Sequence, residues 1–369
     1  MNKDEKLSGF EIVTISTLLM VGTGILSLPR FLIEASEVDT WLIILSGGII
    51  LAIVAFIYGY IISRFPGKGY FEILSITLTR PIAYILSTIY IIYIIILMGL
   101  NIRIFAEVLK GSLFPMTPIE IIILAMILTG GYGARLGLET LGRFAKLLFL
   151  VMTPVTIIMF SLACFDADFS NLLPIFKISF EELAFAVPRV FYSFIGFDAI
   201  LILGMFLYNP QDAKKTGPTS VALVTLLYLF INTVTLAKFG AKQTLVLVWP
   251  TLNLIRSIDI PLAFIEDMTS IGASLWVFSV FMSYLPNCMA NSVLLGQMTG
   301  CRENNFFSVC QLPLIYLTAM LPSNITHIYV ILDGTTKYLG PLFLFIVPTL
   351  ILIVIGMKGL KNKVVKSES

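Results

Sequence analysis

Runs of Ile, Leu, Val and Phe, each near the length of a membrane-crossing helix, follow one another along the chain with short polar breaks between them. A hydrocarbon core of ~30 Å takes roughly 20 apolar residues in helical form. The runs lie near 10–31, 41–63, 82–109, 119–132, 144–165, 187–208, 218–239, 271–295, 306–321 and 338–357, the fourth and ninth being the shortest. Helix-ending pairs such as Pro66-Gly67, Arg80-Pro81, Thr117-Pro118, Asn209-Pro210 and Gly217-Pro218 separate them, as turn residues do. The pattern predicts an all-α polytopic membrane protein of about 10 transmembrane helices. It forms a single transmembrane domain over 1–369, with a short basic tail at 358–369.

Two runs are interrupted by glycine, at Val21-Gly22-Thr23-Gly24-Ile25 and at Ser193-Phe194-Ile195-Gly196-Phe197-Asp198. A helix breaks in lipid only where the freed backbone groups face protein, water or a ligand. Divided five plus five, the spans give a first repeat at about 10–165 and a second at about 187–357. The first and sixth helices then correspond, and an odd number of spans per half inverts the second half in the membrane. Breaks in corresponding helices point to a mid-membrane binding site. The half-helix starting near Gly22 offers the N–H groups of Thr23, Gly24 and Ile25 to an anion. The opening at Phe194-Ile195-Gly196 offers carbonyls to an amine. A zwitterionic amino acid satisfies both. The competing account of Gly22 and Gly24 is close helix packing through small residues.

Composition agrees with a membrane protein. Hydrophobic residues make up 58% and charged residues 12%, against about 25% charged in soluble domains. A net charge of +2 gives no argument for nucleic acid. Cys164, Cys288, Cys301 and Cys310 lack metal-ligand spacing, and His327 is the sole histidine. No paired nucleophile and base can be placed, so the sequence predicts neither an enzyme nor a metal or cofactor. Lys3 and Lys6 precede the first apolar run without a small-residue cleavage site, so that run is expected to be retained. Arg64, Lys68, Arg135, Arg143, Lys214 and Lys215 gather with the chain ends on one side, which predicts cytoplasmic termini.

The Gly22-Thr23-Gly24-Ile25 and Phe191-Tyr192-Ser193-Phe194-Ile195-Gly196-Phe197-Asp198 segments resemble the first- and sixth-helix motifs of amino acid–polyamine–organocation transporters. More specifically, the chain resembles the spore germination permease family, the B subunits of spore germinant receptors. That likeness includes Leu26-Ser27-Leu28-Pro29-Arg30, Ala106-Glu107-Val108-Leu109-Lys110 with Thr117-Pro118, Trp249-Pro250-Thr251, Phe264-Ile265-Glu266 and Trp276. The resemblance implies a LeuT-type inverted repeat with helices 1 and 6 broken and helices 1, 3, 6 and 8 around a pocket. Leu97 and Asn101, then Phe194, Ile195, Gly196 and Phe197, and finally Ser283 and Asn287 would join Gly22, Thr23, Gly24 and Ile25 there.

It further implies a germinant-sensing subunit in the spore inner membrane, with its termini on the spore core side and in contact with membrane lipid. Its partners would be a small amino-acid-like germinant, a larger membrane subunit and a lipoprotein. A stand-alone amino acid permease and a non-binding structural subunit are the alternatives. The fifth helix departs from proton-coupled relatives: 147–154 carries no lysine, and Lys146 lies near its end. Asp198 is expected to cap or line the sixth-helix break, or to couple protons, and Arg103 with Glu107 to form an ion pair. The loop at Trp249-Pro250-Thr251 is a lid or a docking surface.

Overall fold

The computed structural model describes residues 5–258, 268–301 and 305–357. The basic tail, Lys3, Arg302 and Phe264-Ile265-Glu266 lie outside the described residues. Among the described residues six helices are long and apolar enough to cross a membrane: Thr40–Arg64, Arg80–Ser112, Leu138–Ala163, Pro210–Val246, Gly272–Thr299 and Ile325–Met357. Two bent pairs add a span each. Gly9–Met20 with Gly24–Ser36 turns by 59°, and Phe180–Phe194 with Phe197–Phe206 turns by 60°. The shorter apolar helices Ile119–Gly133 and Asn305–Met320 occupy the fourth and ninth places. At 15 residues the fourth reaches only about 22 Å, which explains its weak sequence signal.

The spans form two sets. The first, second, sixth and seventh pack on one another, as do the third, fourth, eighth and ninth. Small residues bring the second and seventh spans to backbone distance. A methyl group on Gly59 would meet the Ala213 carbonyl oxygen at 2.1 Å, and one on Gly48 would meet Thr225 Oγ1 at 2.3 Å. In lipid, helices associate through such close packing, since the tails are as apolar as the side chains. The fifth span lies on the first and the tenth on the third. A π-turn at Leu342–Ile346 in the tenth follows Pro341, and Tyr58 donates to the Phe343 carbonyl at 2.8 Å.

The chain start is tied to the ends of two spans. Leu7 donates to the Phe206 carbonyl at 2.8 Å and accepts from Tyr208 at 3.0 Å, while Glu5 accepts the Leu138 N–H at 2.9 Å. On the opposite face, Asp39 is buried and holds the fifth–sixth loop. Its carboxylate accepts the N–H groups of Phe176, Lys177 and Ile178 at 2.8, 2.5 and 2.9 Å. Earlier in that loop, hydrogen bonds from the Ser170 side chain and then its N–H hold the Asp168 carboxyl below its usual range. Hydrogen bonds to a charged group contribute about 1.5–3 kcal/mol each. Asp39→Asn is therefore expected to free the loop, seen as faster limited proteolysis within 164–180 in reconstituted protein; an unchanged cleavage rate would show the clasp to be dispensable.

Candidate functional site

The N-terminal half of the first span is capped by Ser8, whose hydroxyl accepts the Glu11 N–H at 3.2 Å. It ends at Val21, whose N–H still reaches the Thr17 carbonyl at 3.2 Å. Beyond it, Gly22, Thr23, Gly24 and Ile25 are all buried, and their four N–H groups find no acceptor among the described residues. Helical bonding resumes with Leu26, which donates to the Thr23 carbonyl. Thr23 stands at the N-cap without capping. Its hydroxyl donates instead to Asn101 Oδ1 on the third span, and Asn101 Nδ2 donates to the Leu97 carbonyl at 2.9 Å.

The sixth span opens at Ile195, and Gly196 turns the chain with φ +112°. Only glycine serves here, because that φ disfavours any side chain and an added Cβ would lie 1.7 Å from Leu19. Asp198, buried, folds back to accept the Gly196 N–H at 3.1 Å. It caps the break, as one of its expected roles required, in a tight nook with Tyr70, Tyr90 and Phe343.

The two breaks touch. A Cβ on Gly24 would sit 3.1 Å from Ser193 Cα, and one on Gly22 would sit 2.7 Å from Ser283 Oγ. Asn287 Nδ2 donates to the Ser283 carbonyl at 3.0 Å, and its Oδ1, buried, has no hydrogen-bond partner among the described residues. The residues that the sequence nominates on the first, third and eighth spans thus converge. On the sixth, Ile195 and Gly196 form the opening itself. The rings of Phe194 and Phe197 turn into protein, the former edge-on to Tyr228 at 5.1 Å and the latter stacked on Tyr58 at 5.3 Å.

Two groups escaped sequence reasoning. The Tyr228 hydroxyl on the seventh span reaches both breaks, at 2.9 Å from the Met20 carbonyl and 2.7 Å from that of Ser193. Thr251 donates to the Ile25 carbonyl at 2.8 Å, so the loop helix Pro250–Arg256 braces the second half of the first span. Nothing marked Tyr228 beyond being a lone phenol in an apolar run. Arg103 and Glu107 do pair, at 3.0 Å, and Arg103 also donates to the Ala319 carbonyl.

Unbonded N–H groups at the start of a half-helix, facing a second break that exposes carbonyls, suit a small ligand carrying both charges. Among the described residues no cluster of His, Cys, Asp and Glu forms a metal site.

Residues 6–328 match the family described as spore germination protein. The chain belongs to the spore germination permease family. Spore germination protein YndE of Bacillus subtilis is 24% identical over 343 residues, covering 91% of this chain and 92% of its own. Spore germination protein GerLB of Bacillus cereus is 27% identical over 327 residues, 87% of each. Among solved structures, a sodium-coupled sialic acid symporter superposes with a TM-score of 0.66 at 11% identity, over 95% of this permease and 79% of the symporter. The nucleobase-cation symporter Mhp1, closed with a hydantoin bound, gives 0.66 at 10% identity over 92% and 78%. At such identities the likeness concerns fold alone. It gives this chain the LeuT-type fold of inverted repeats of five spans.

Proposed function

We propose that this spore germination permease is the germinant-sensing membrane subunit of a receptor, and that a small amino-acid-like germinant binds between its two helix breaks to trigger germination. The observation that carries this is the row of four buried, unbonded N–H groups from Gly22 to Ile25 facing the sixth-span opening. The row takes the germinant carboxylate, and the Phe194 and Ile195 carbonyls take its ammonium. Leu97 and Ile195 favour a modest apolar side group. Gly22 against Ser283 and Gly24 against Ser193 must part to admit the ligand, so binding favours an opened state. A swing from 1:99 to 99:1 needs about 5.5 kcal/mol of differential affinity. A larger membrane subunit and a lipoprotein read the change, and the termini lie on the spore core side.

The transporter fold supports a second function, amino acid uptake by this chain alone. Proteoliposomes holding the purified full chain, supplied with labelled L-alanine, L-valine or L-leucine, separate the two. A sensor binds saturably without accumulation inside the vesicles, whereas a permease accumulates label. Absence of saturable binding across all the standard amino acids would remove the amino-acid site altogether.

A further inference from the structure

On the face opposite the chain start lies a cavity of about 550 Å³, between the second half of the first span, the beginning of the sixth and the tenth. Phe31 and Glu34, Arg189 and Tyr192, and Tyr329 and Asp333 line it from those three spans. Glu34 is engaged by Arg30 at 3.6 Å. Arg189 and Asp333 are exposed, and neither side chain makes a hydrogen bond or ion pair among the described residues. They stand on different spans around one cavity, farther apart than a direct ion pair permits.

The floor of the cavity is thin. The Tyr192 hydroxyl faces Thr23 at the first-span break. Tyr329 lies beside Ser27, accepts the Trp249 Nε1 proton at 3.2 Å and packs edge-on against Phe31 at 5.5 Å. Two tyrosine rings therefore separate the cavity from the unbonded N–H groups below.

We infer that this vestibule is a second amino-acid site, in which Arg189 holds the carboxylate, Asp333 the ammonium, and Phe31 and Val330 flank the side group. A guanidinium matches a carboxylate in two parallel hydrogen bonds. A zwitterion bridges a cation and an anion that line one cavity without pairing with each other. A ligand bound there rests on Tyr192 and Tyr329 and reaches the breaks when those rings swing aside. The inference takes its ligand class from the proposed function, but uses residues that the site at the breaks does not.

The test is equilibrium binding of tritiated L-valine, L-alanine or L-leucine to the full-length protein in nanodiscs. Wild type is expected to bind two equivalents of at least one of them. Arg189→Gln and Asp333→Asn, at exposed positions that do not threaten folding, each lose one equivalent, while Arg189→Lys keeps both. Gly22→Val loses the other. One equivalent in wild type that survives Arg189→Gln and Asp333→Asn overturns the vestibule and leaves the breaks as the site. One equivalent lost in Arg189→Gln but kept in Gly22→Val upholds the vestibule and removes the break site. No binding of any of the three overturns the vestibule.

Discussion

Spores carrying Gly22→Val are expected to keep normal amounts of the protein in the membrane and to lose their response to amino acids. A Cβ at this position lies 2.7 Å from Ser283 Oγ, and the branched side chain covers the N–H row that is proposed to grip the carboxylate. The germinant concentration for half-maximal response should rise at least roughly 100-fold, about 2.8 kcal/mol at 1.4 kcal/mol per decade. Dose–response curves with a membrane blot measure both quantities. Gly22 also packs on the eighth span, so a second variant separates the two roles. Gly22→Val with Ser283→Gly relieves the packing clash and leaves the N–H row covered. If that double variant recovers a normal response, Gly22 serves helix packing, and the first-span break is not where the germinant binds.

Tyr228→Phe is expected to lower the thermal stability of the purified protein. One phenol proton serves two carbonyls, Met20 at 2.9 Å and Ser193 at 2.7 Å. Both carbonyls belong to helix ends with no other donor among the described residues. Leaving a buried acceptor without its donor costs about 1–3 kcal/mol, so the melting temperature should fall in a scanning-fluorescence assay. Tyr284→Phe is the matched control, because its hydroxyl makes only a long 3.4 Å bond to the Ile127 carbonyl and otherwise meets the weakly polar Cys288 thiol. Equal melting of the two variants would show that the Tyr228 hydroxyl does not hold the breaks together.

The spans and both breaks were legible because hydrocarbon imposes length, and because Gly22, Gly24 and Gly196 interrupt otherwise unbroken apolar runs. The shorter Ile119–Gly133 and Asn305–Met320 helices gave the faintest signal and were placed by the turn residues that flank them. The convergence of Thr23 with Asn101, and of Gly22 with Ser283, could be named from the family resemblance but not from spacing. Helix periodicity tells which residues share a face, not which faces meet. The inward turn of Phe194 and Phe197 was hidden for a related reason: an open helix no longer fixes where successive side chains point. Tyr228, Thr251 and the Asp39 clasp act through backbone carbonyls or N–H groups far away in sequence, and backbone partners leave no trace in residue types.

Gly59 brings the second span to backbone distance of the seventh, and Gly48 seats the Thr225 side chain there, so those two spans pack tightly. The first and sixth spans meet the third and eighth across a seam that carries the breaks. At the breaks, among the described residues, the Thr23 hydroxyl bonds Asn101 across that seam and Gly22 packs closely on Ser283. If the proposed germinant lodges there, it wedges between two helix sets at the breaks themselves.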